Sequence, residues 1–148
     1  MSYKSDYKIK DFFEYVVPPL EGFWWQDSLS DIDYSKKSEF NFISVIRLPD
    51  FISEDDFKWA VETASQKKKI DCSLAELLSI DEGLCVQTMH IGSYDDEPQT
   101  ILKMKEFANG YEFDINEIRK HHEIYLSDPR KVAKEKLKTI IRIPIKVN

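Results

Sequence analysis

The chain has 148 residues, a net charge of -6, and 42% hydrophobic against 32% charged residues. That length suits one domain with its own core, and the apolar content is too high for a chain kept disordered by want of burial. The acidic balance argues against a nucleic-acid partner, which needs a basic face, and no apolar run approaches the roughly 20 residues that span a bilayer.

Residues 1–14 are polar and lysine-rich without a clear period, and read as a loosely held N-terminal arm, leaving 15–148 as the folded domain. Met1-Ser2-Tyr3-Lys4 is not followed by a signal-peptide core, so the expected compartment is the cytoplasm, with no membrane as partner. From Tyr15 a β-rich run reaches Trp25, broken by Pro18 and Pro19, which cannot donate to a ladder. In a strand Glu21, Phe23 and Trp25 share one face, and Leu20, Gly22 and Trp24 the other. An acid beside aromatic rings can hold a flat cation, and Trp25 is the expected ligand-facing ring because it shares Glu21's side; plain core packing is the alternative for either Trp.

A polar loop around Asp31 to Ser38 leads to a second strand, Phe40 to Leu48, closed by Pro49. Ser53 opens a helix with Glu54, Asp55 and Asp56 in its first turn, where acids suit the positive end of the dipole. Phe57, Ala60, Val61 and Ala64 recur at helical spacing, and Lys67, Lys68 and Lys69 fall at the far end. Trp59 lies off that stripe and reads as an interface marker.

Asp81-Glu82-Gly83 is a turn before a strand from Leu84 to Ile91. His90 at its end is a candidate proton shuttle, although a lone His there is more often a satisfied structural residue. Asp95, Asp96, Glu97 and Pro98 start a second helix, buried through Ile101, Met104, Phe107 and Ala108 and ended by Gly110. The three acids read as helix-start charges, and Tyr94 as a hydroxyl at the mouth of a cleft.

His121 to Ser127 is a further strand in which Glu123 and Tyr125 share a face with His121, opposite His122. Glu123 with Tyr125 is the foremost functional pair, because a carboxylate on an inner strand face needs a cation or a donor; a Tyr-bonded structural acid is the alternative. The last strand alternates Leu137, Thr139, Ile141, Ile143, Ile145 and Val147 with Lys138, Arg142 and Lys146. Cys72 and Cys85 have neither disulfide-framework nor zinc spacing and no oriented His partner, and the histidines lack metal-ligand spacing, so no metal and no cofactor is expected.

Five phrases taken together carry a resemblance: Pro19-Leu20-Glu21-Gly22-Phe23-Trp24-Trp25, Asp81-Glu82-Gly83-Leu84, His90-Ile91-Gly92-Ser93-Tyr94-Asp95-Asp96-Glu97-Pro98, Glu123-Ile124-Tyr125-Leu126-Ser127-Asp128-Pro129 and Lys136-Leu137-Lys138-Thr139. In this order, over about residues 15 to 147, the chain resembles the GyrI-like small-molecule-binding family. The resemblance implies an α+β fold of two strand-helix-strand-strand modules on an antiparallel sheet around a cleft for bulky, planar or cationic ligands. It is strongest to stand-alone members of the subgroup that hydrolyses cyclopropane-bearing DNA-alkylating natural products. The first module departs from the pattern, since its opening strand and helix are not found before Tyr15.

An incomplete module would leave apolar strand faces uncovered, and a homodimer is expected to cover them. Three functions follow from these readings. The first is stand-alone binding of hydrophobic, planar or cationic xenobiotics, with Glu21, Trp24, Trp25, His90, Tyr94, Glu123 and Tyr125 as ligand-binding residues. The second is a cyclopropane hydrolase, with Tyr125 as acid and Glu123 orienting or deprotonating water. The third is a protein-interaction module.

Overall fold

A computed structural model describes residues 6–27, 33, 35–116 and 119–148. Met1 to Lys4, and Asp31, Ile32 and Tyr34 of the polar loop, lie outside the described residues. Contacts divide the chain into two compact units: residues 19–46 with 82–148, and residues 1–18 with 47–81.

The larger unit is an antiparallel sheet with one long helix. Its strands are β1 (Glu21–Gln26) and β2 (Phe40–Val45), then β3 (Cys85–Ile91), β4 (Phe113–Ile115), β5 (His121–Tyr125) and β6 (Lys138–Val147). They run in the order β2-β1-β5-β6-β3, with β4 paired to β6. β1 starts only at Glu21, because Pro18 and Pro19 keep the preceding run out of the ladder. β6 is the strand its alternation predicts: Thr139, Ile141 and Ile143 are buried, while Lys138 is exposed and Arg142 half-buried. The short β4 was not legible as a strand, since three residues carry no period.

The helix of this unit, Glu97–Asn109, follows a 3-10 turn at Tyr94–Asp96 in which the Asp95 amide donates to Ser93 Oγ. Its buried positions are Glu97, Ile101, Met104 and Ala108, spaced four, three and four apart, one face of a helix. Phe107, expected on that face, is 60% exposed; the stripe passes through Met104 and Ala108 and leaves Phe107 a full residue off it. Ile101 and Met104 pack with Trp24, Val86, Ile115, Ile141 and Ile143 into the core, and Phe40 and Ile145 close its margin.

The smaller unit is built on the helix Glu54–Lys68. A capping box starts it: Ser53 Oγ accepts from the Asp56 amide, and the Ser53 amide donates to Asp56 Oδ2 at 2.9 Å. Lys69 closes it in the left-handed region, φ 52°. The helix is termed α1 and Glu97–Asn109 α2 below. Tyr7, Phe12 and Phe13 of the segment read as an arm, with Tyr15 just after it, pack their rings here. Tyr7 stacks on Trp59 at 4.1 Å and donates its hydroxyl to Asp56 Oδ1 at 3.0 Å, while Phe12, Phe13 and Tyr15 meet Phe51 edge-on. Trp59, read as an interface marker, is thus covered on one face by Tyr7.

Candidate functional site

The site is set by sheet parity. β1 and β5 pair antiparallel with Gly22 opposite Glu123 and Trp24 opposite His121. Alternation then sends Gly22, Trp24, His121, Glu123 and Tyr125 to the face that α2 covers, and Glu21, Phe23, Trp25 and His122 to the other. On the α2 face lies a cavity of about 390 Å³, within the range of small-molecule sites. Trp24, Phe40, Phe42, Tyr94, Pro98 and Tyr125 wall it, Glu97 and Glu123 supply its buried acids, and Lys37 and Asp95 form an exposed ion pair at its rim.

Glu123 is 7% exposed, and both of its oxygens are engaged. Trp24 Nε1 donates to Oε1 at 2.6 Å, and the Tyr125 hydroxyl donates to Oε2 at 2.8 Å. These short, charge-assisted bonds offset the desolvation of a carboxylate among rings. Glu97, the first residue of α2, is also 7% exposed and shares a hydrogen bond with Glu123. Burial, then the neighbouring Glu123 charge, pushes the Glu97 carboxyl up to about 9. At neutral pH Glu97 is therefore the protonated partner and donates to Glu123, and its Oε1 is buried without a hydrogen-bond partner. The pair presents one negative charge.

Burial and the Glu123 charge also push the Tyr125 phenol far above its ordinary range, and burial with the Glu97 and Glu123 charges raises Tyr94. Both remain hydroxyl donors. With the Tyr125 phenol raised this far, Glu97 is the more acidic of the two groups that carry a proton beside Glu123. Tyr94 and Tyr125 meet edge-on at 6.1 Å, and Trp24 meets Phe40 edge-on at 5.2 Å, which fixes the rings around the acids.

The close approach of Phe42 depends on Gly22. A Cβ there would stand 2.4 Å from the Phe42 ring and 3.0 Å from the Tyr125 hydroxyl. The absent side chain is filled by the cavity wall itself.

Of the residues predicted from sequence, Trp24, Tyr94, Glu123 and Tyr125 line this cavity together. Glu21, Trp25 and His90 do not. Trp25 shares Glu21's face as expected, but that is the face away from Glu123: its indole donates to Asp27 at 3.2 Å and Lys120 Nζ lies 4.1 Å over its ring. Glu21 is engaged by His122 Nε2 at 2.6 Å. His90 is a satisfied residue, bonded through Nδ1 to Thr100 and through Nε2 to the Ser93 carbonyl.

The residues missed are Glu97, Phe40, Phe42, Lys37, Asp95 and Pro98 as lining. Glu97 had a signal: it stands four residues before Ile101 and seven before Met104, in register with the buried stripe of α2.

On the opposite face the charges close on one another. His122 lies between Glu21 Oε2 at 2.6 Å and Glu82 Oε1 at 2.8 Å, and stacks on Phe23 at 4.2 Å. Arg142 donates to Glu82 at 2.6 Å and to Gln87 at 2.8 Å. Every member of this network has a partner.

The model of the GyrI-like small molecule binding domain matches residues 2–146. Two solved structures from Listeria innocua are similar throughout. One, described as a hydrolase, has 39% sequence identity and a TM-score of 0.85, covering 96% of this chain and 69% of its own. The other, an uncharacterized conserved protein, has 41% identity and a TM-score of 0.88, covering 96% of this chain and 70% of its own. Among curated proteins none matches significantly.

Proposed function

Because this chain belongs to the GyrI-like small-molecule-binding family, we propose that it holds a flat, hydrophobic, cationic molecule in the α2-face cavity. The observation that carries this reading is the Glu123 carboxylate, buried among rings and fixed by Trp24 and Tyr125. A neutral floor would suffice for an apolar ligand. Keeping a charge there makes sense when a cation completes it, with each ring face adding roughly 0.5 to 2 kcal/mol of cation–π attraction. Foreign aromatic cations, xenobiotics in the broad sense, fit this chemistry.

The direct test is a thermal-shift titration with N-methyl-4-phenylpyridinium, since a ligand that prefers the native state raises its melting point. Glu123→Gln keeps an acceptor for Trp24 but removes the charge, and is expected to weaken binding about 30-fold, roughly 2 kcal/mol. Unchanged affinity in Glu123→Gln would remove the acid from the ligand site.

A second reading is favoured by one pairing: a protonated Glu97 beside an ionised Glu123 is an acid and a base in one cavity. For a cyclopropane conjugated to a dienone, Glu97 gives its proton to the carbonyl oxygen, and a water oxygen bonds to a ring carbon. The strained carbon–carbon bond breaks, its electron pair moving into the ring to form a phenol, while Glu123 takes the water's proton. The net change is addition of water, and the pair ends with its one proton on the other acid. Loss of the dienone absorbance on incubation with the protein, abolished in Glu97→Gln, tests it.

A further inference from the structure

The Glu97–Glu123 pair has a consequence for which ligands the cavity can take. A carboxyl bonds a carboxylate only while one of them holds a proton, and two ionised acids in contact within a wall of rings would repel at low dielectric. The groups facing Glu97 do not relieve this. Glu123 and Tyr125 face it from β5, Tyr94 and Asp95 from the turn before α2, and Lys37 from the turn before β2. Lys37 is the cation of the lining, but it is exposed and bonded to Asp95. Both Glu123 oxygens are occupied, whereas Glu97 Oε1 is buried and unpartnered.

We propose that the cavity counts charge: with one proton shared between Glu97 and Glu123 it takes up aromatic monocations without proton exchange, and takes up dications only by expelling the Glu97 proton. The inference rests on the cationic-ligand reading above. A monocation brings the buried charge to zero. A second positive charge leaves the cavity uncompensated, and ionising Glu97 restores neutrality while the dication screens the two carboxylates from each other. By linkage, a ligand that releases one proton binds about tenfold tighter per unit rise in pH while Glu97 is still protonated, and a ligand that releases none is indifferent to pH there.

Two probes share a biaryl frame and differ in charge, N-methyl-4-phenylpyridinium and methyl viologen. Calorimetric titration of the wild-type protein in phosphate and in Tris, buffers of different ionisation heat, counts protons directly. The monocation is expected to give the same heat in both and a flat Kd between about pH 7 and about pH 8.5. Methyl viologen is expected to release close to one proton, its Kd falling about tenfold per pH unit, and Glu97→Gln is expected to remove that release. Binding of both probes with no proton released, or with equal release, overturns the inference and leaves the binding reading intact. Binding of the monocation alone at the higher pH also overturns it. Binding of neither probe at any pH overturns the reading on which it rests.

Discussion

Strands β1 and β5 bury charge on both of their faces, and the two faces neutralise it differently. On one, His122 sits between Glu21 and Glu82, and Arg142 completes the set, so each charge ends in another side chain. On the other, Glu123 is steadied by uncharged donors, Trp24 and Tyr125, and by the proton that Glu97 retains. The first arrangement is closed and joins β1, β5 and the Glu82 turn. The second keeps a net charge facing an open cavity. Partners that satisfy a buried acid's hydrogen bonds without cancelling its charge leave that charge for a ligand; burial alone does not distinguish the two faces.

Breaking the closed face is expected to have the largest effect on stability. His122→Ala leaves two carboxylates without the ring they share, at a cost of about 3 kcal/mol, the lower end of the range for buried pairs because Glu82 keeps Arg142. Urea unfolding measures this, while cation binding by the folded protein is expected to persist. A folded His122→Ala protein that no longer binds would mean the faces are coupled. Next, Gly22→Ala drives a methyl into the Phe42 ring, which must swing outward. About 1 to 2 kcal/mol of stability and several-fold in ligand affinity are expected to be lost together, because the wall and the strand are the same residues; retained affinity would show that Phe42 is not part of the binding wall.

Acidity sharpens the contrast further. Glu97 ionises near its ordinary value in the unfolded chain and is pushed up to about 9 in the folded one, so over that window the native state holds the extra proton. Its contribution is thus greatest at low pH and declines as pH rises towards 9, with a slope of at most about 1.4 kcal/mol per pH unit. Denaturation series at several pH values are expected to show a shallower decline in Glu97→Gln. His121 has the opposite sense: burial pushes it down to about 3, so stability is lost as pH falls below its ordinary range. The smallest effect is expected from Trp25→Ala. Its contacts are an exposed bond to Asp27 and the Lys120 cation, together roughly 0.5 to 1 kcal/mol, and ligand affinity is expected to stay the same. Lost affinity in that variant would place a ligand on both faces.

Much of the fold was legible because its elements follow simple periods. The Ser53 cap, the α2 start at Glu97-Pro98 and the alternation of β6 each announce themselves in the residues that form them. So did the pairing of Glu123 with Tyr125 on an inner face. Which tryptophan meets the acid was not legible, because that depends on the register between strands far apart in sequence: Trp24 reaches Glu123 only since Gly22, not Glu21, lies opposite it. Glu21 looked like the site's acid because nothing local shows that His122, 101 positions away, takes it up. Glu97 hid among three helix-start acids, where the dipole explains all of them equally well. Only its phase with Ile101 and Met104 sets it apart.

The Lys37–Asp95 bridge at the rim spans two turns, one before β2 and one before α2, and both side chains are largely exposed. A bridge so wet is worth at most about 1 kcal/mol and is weakened further by salt. It is a latch without a spring. How long a guest remains is then governed by the rings and the buried charge it must leave, and added salt is expected to lower occupancy by a cationic guest through screening of that charge rather than through opening of the bridge.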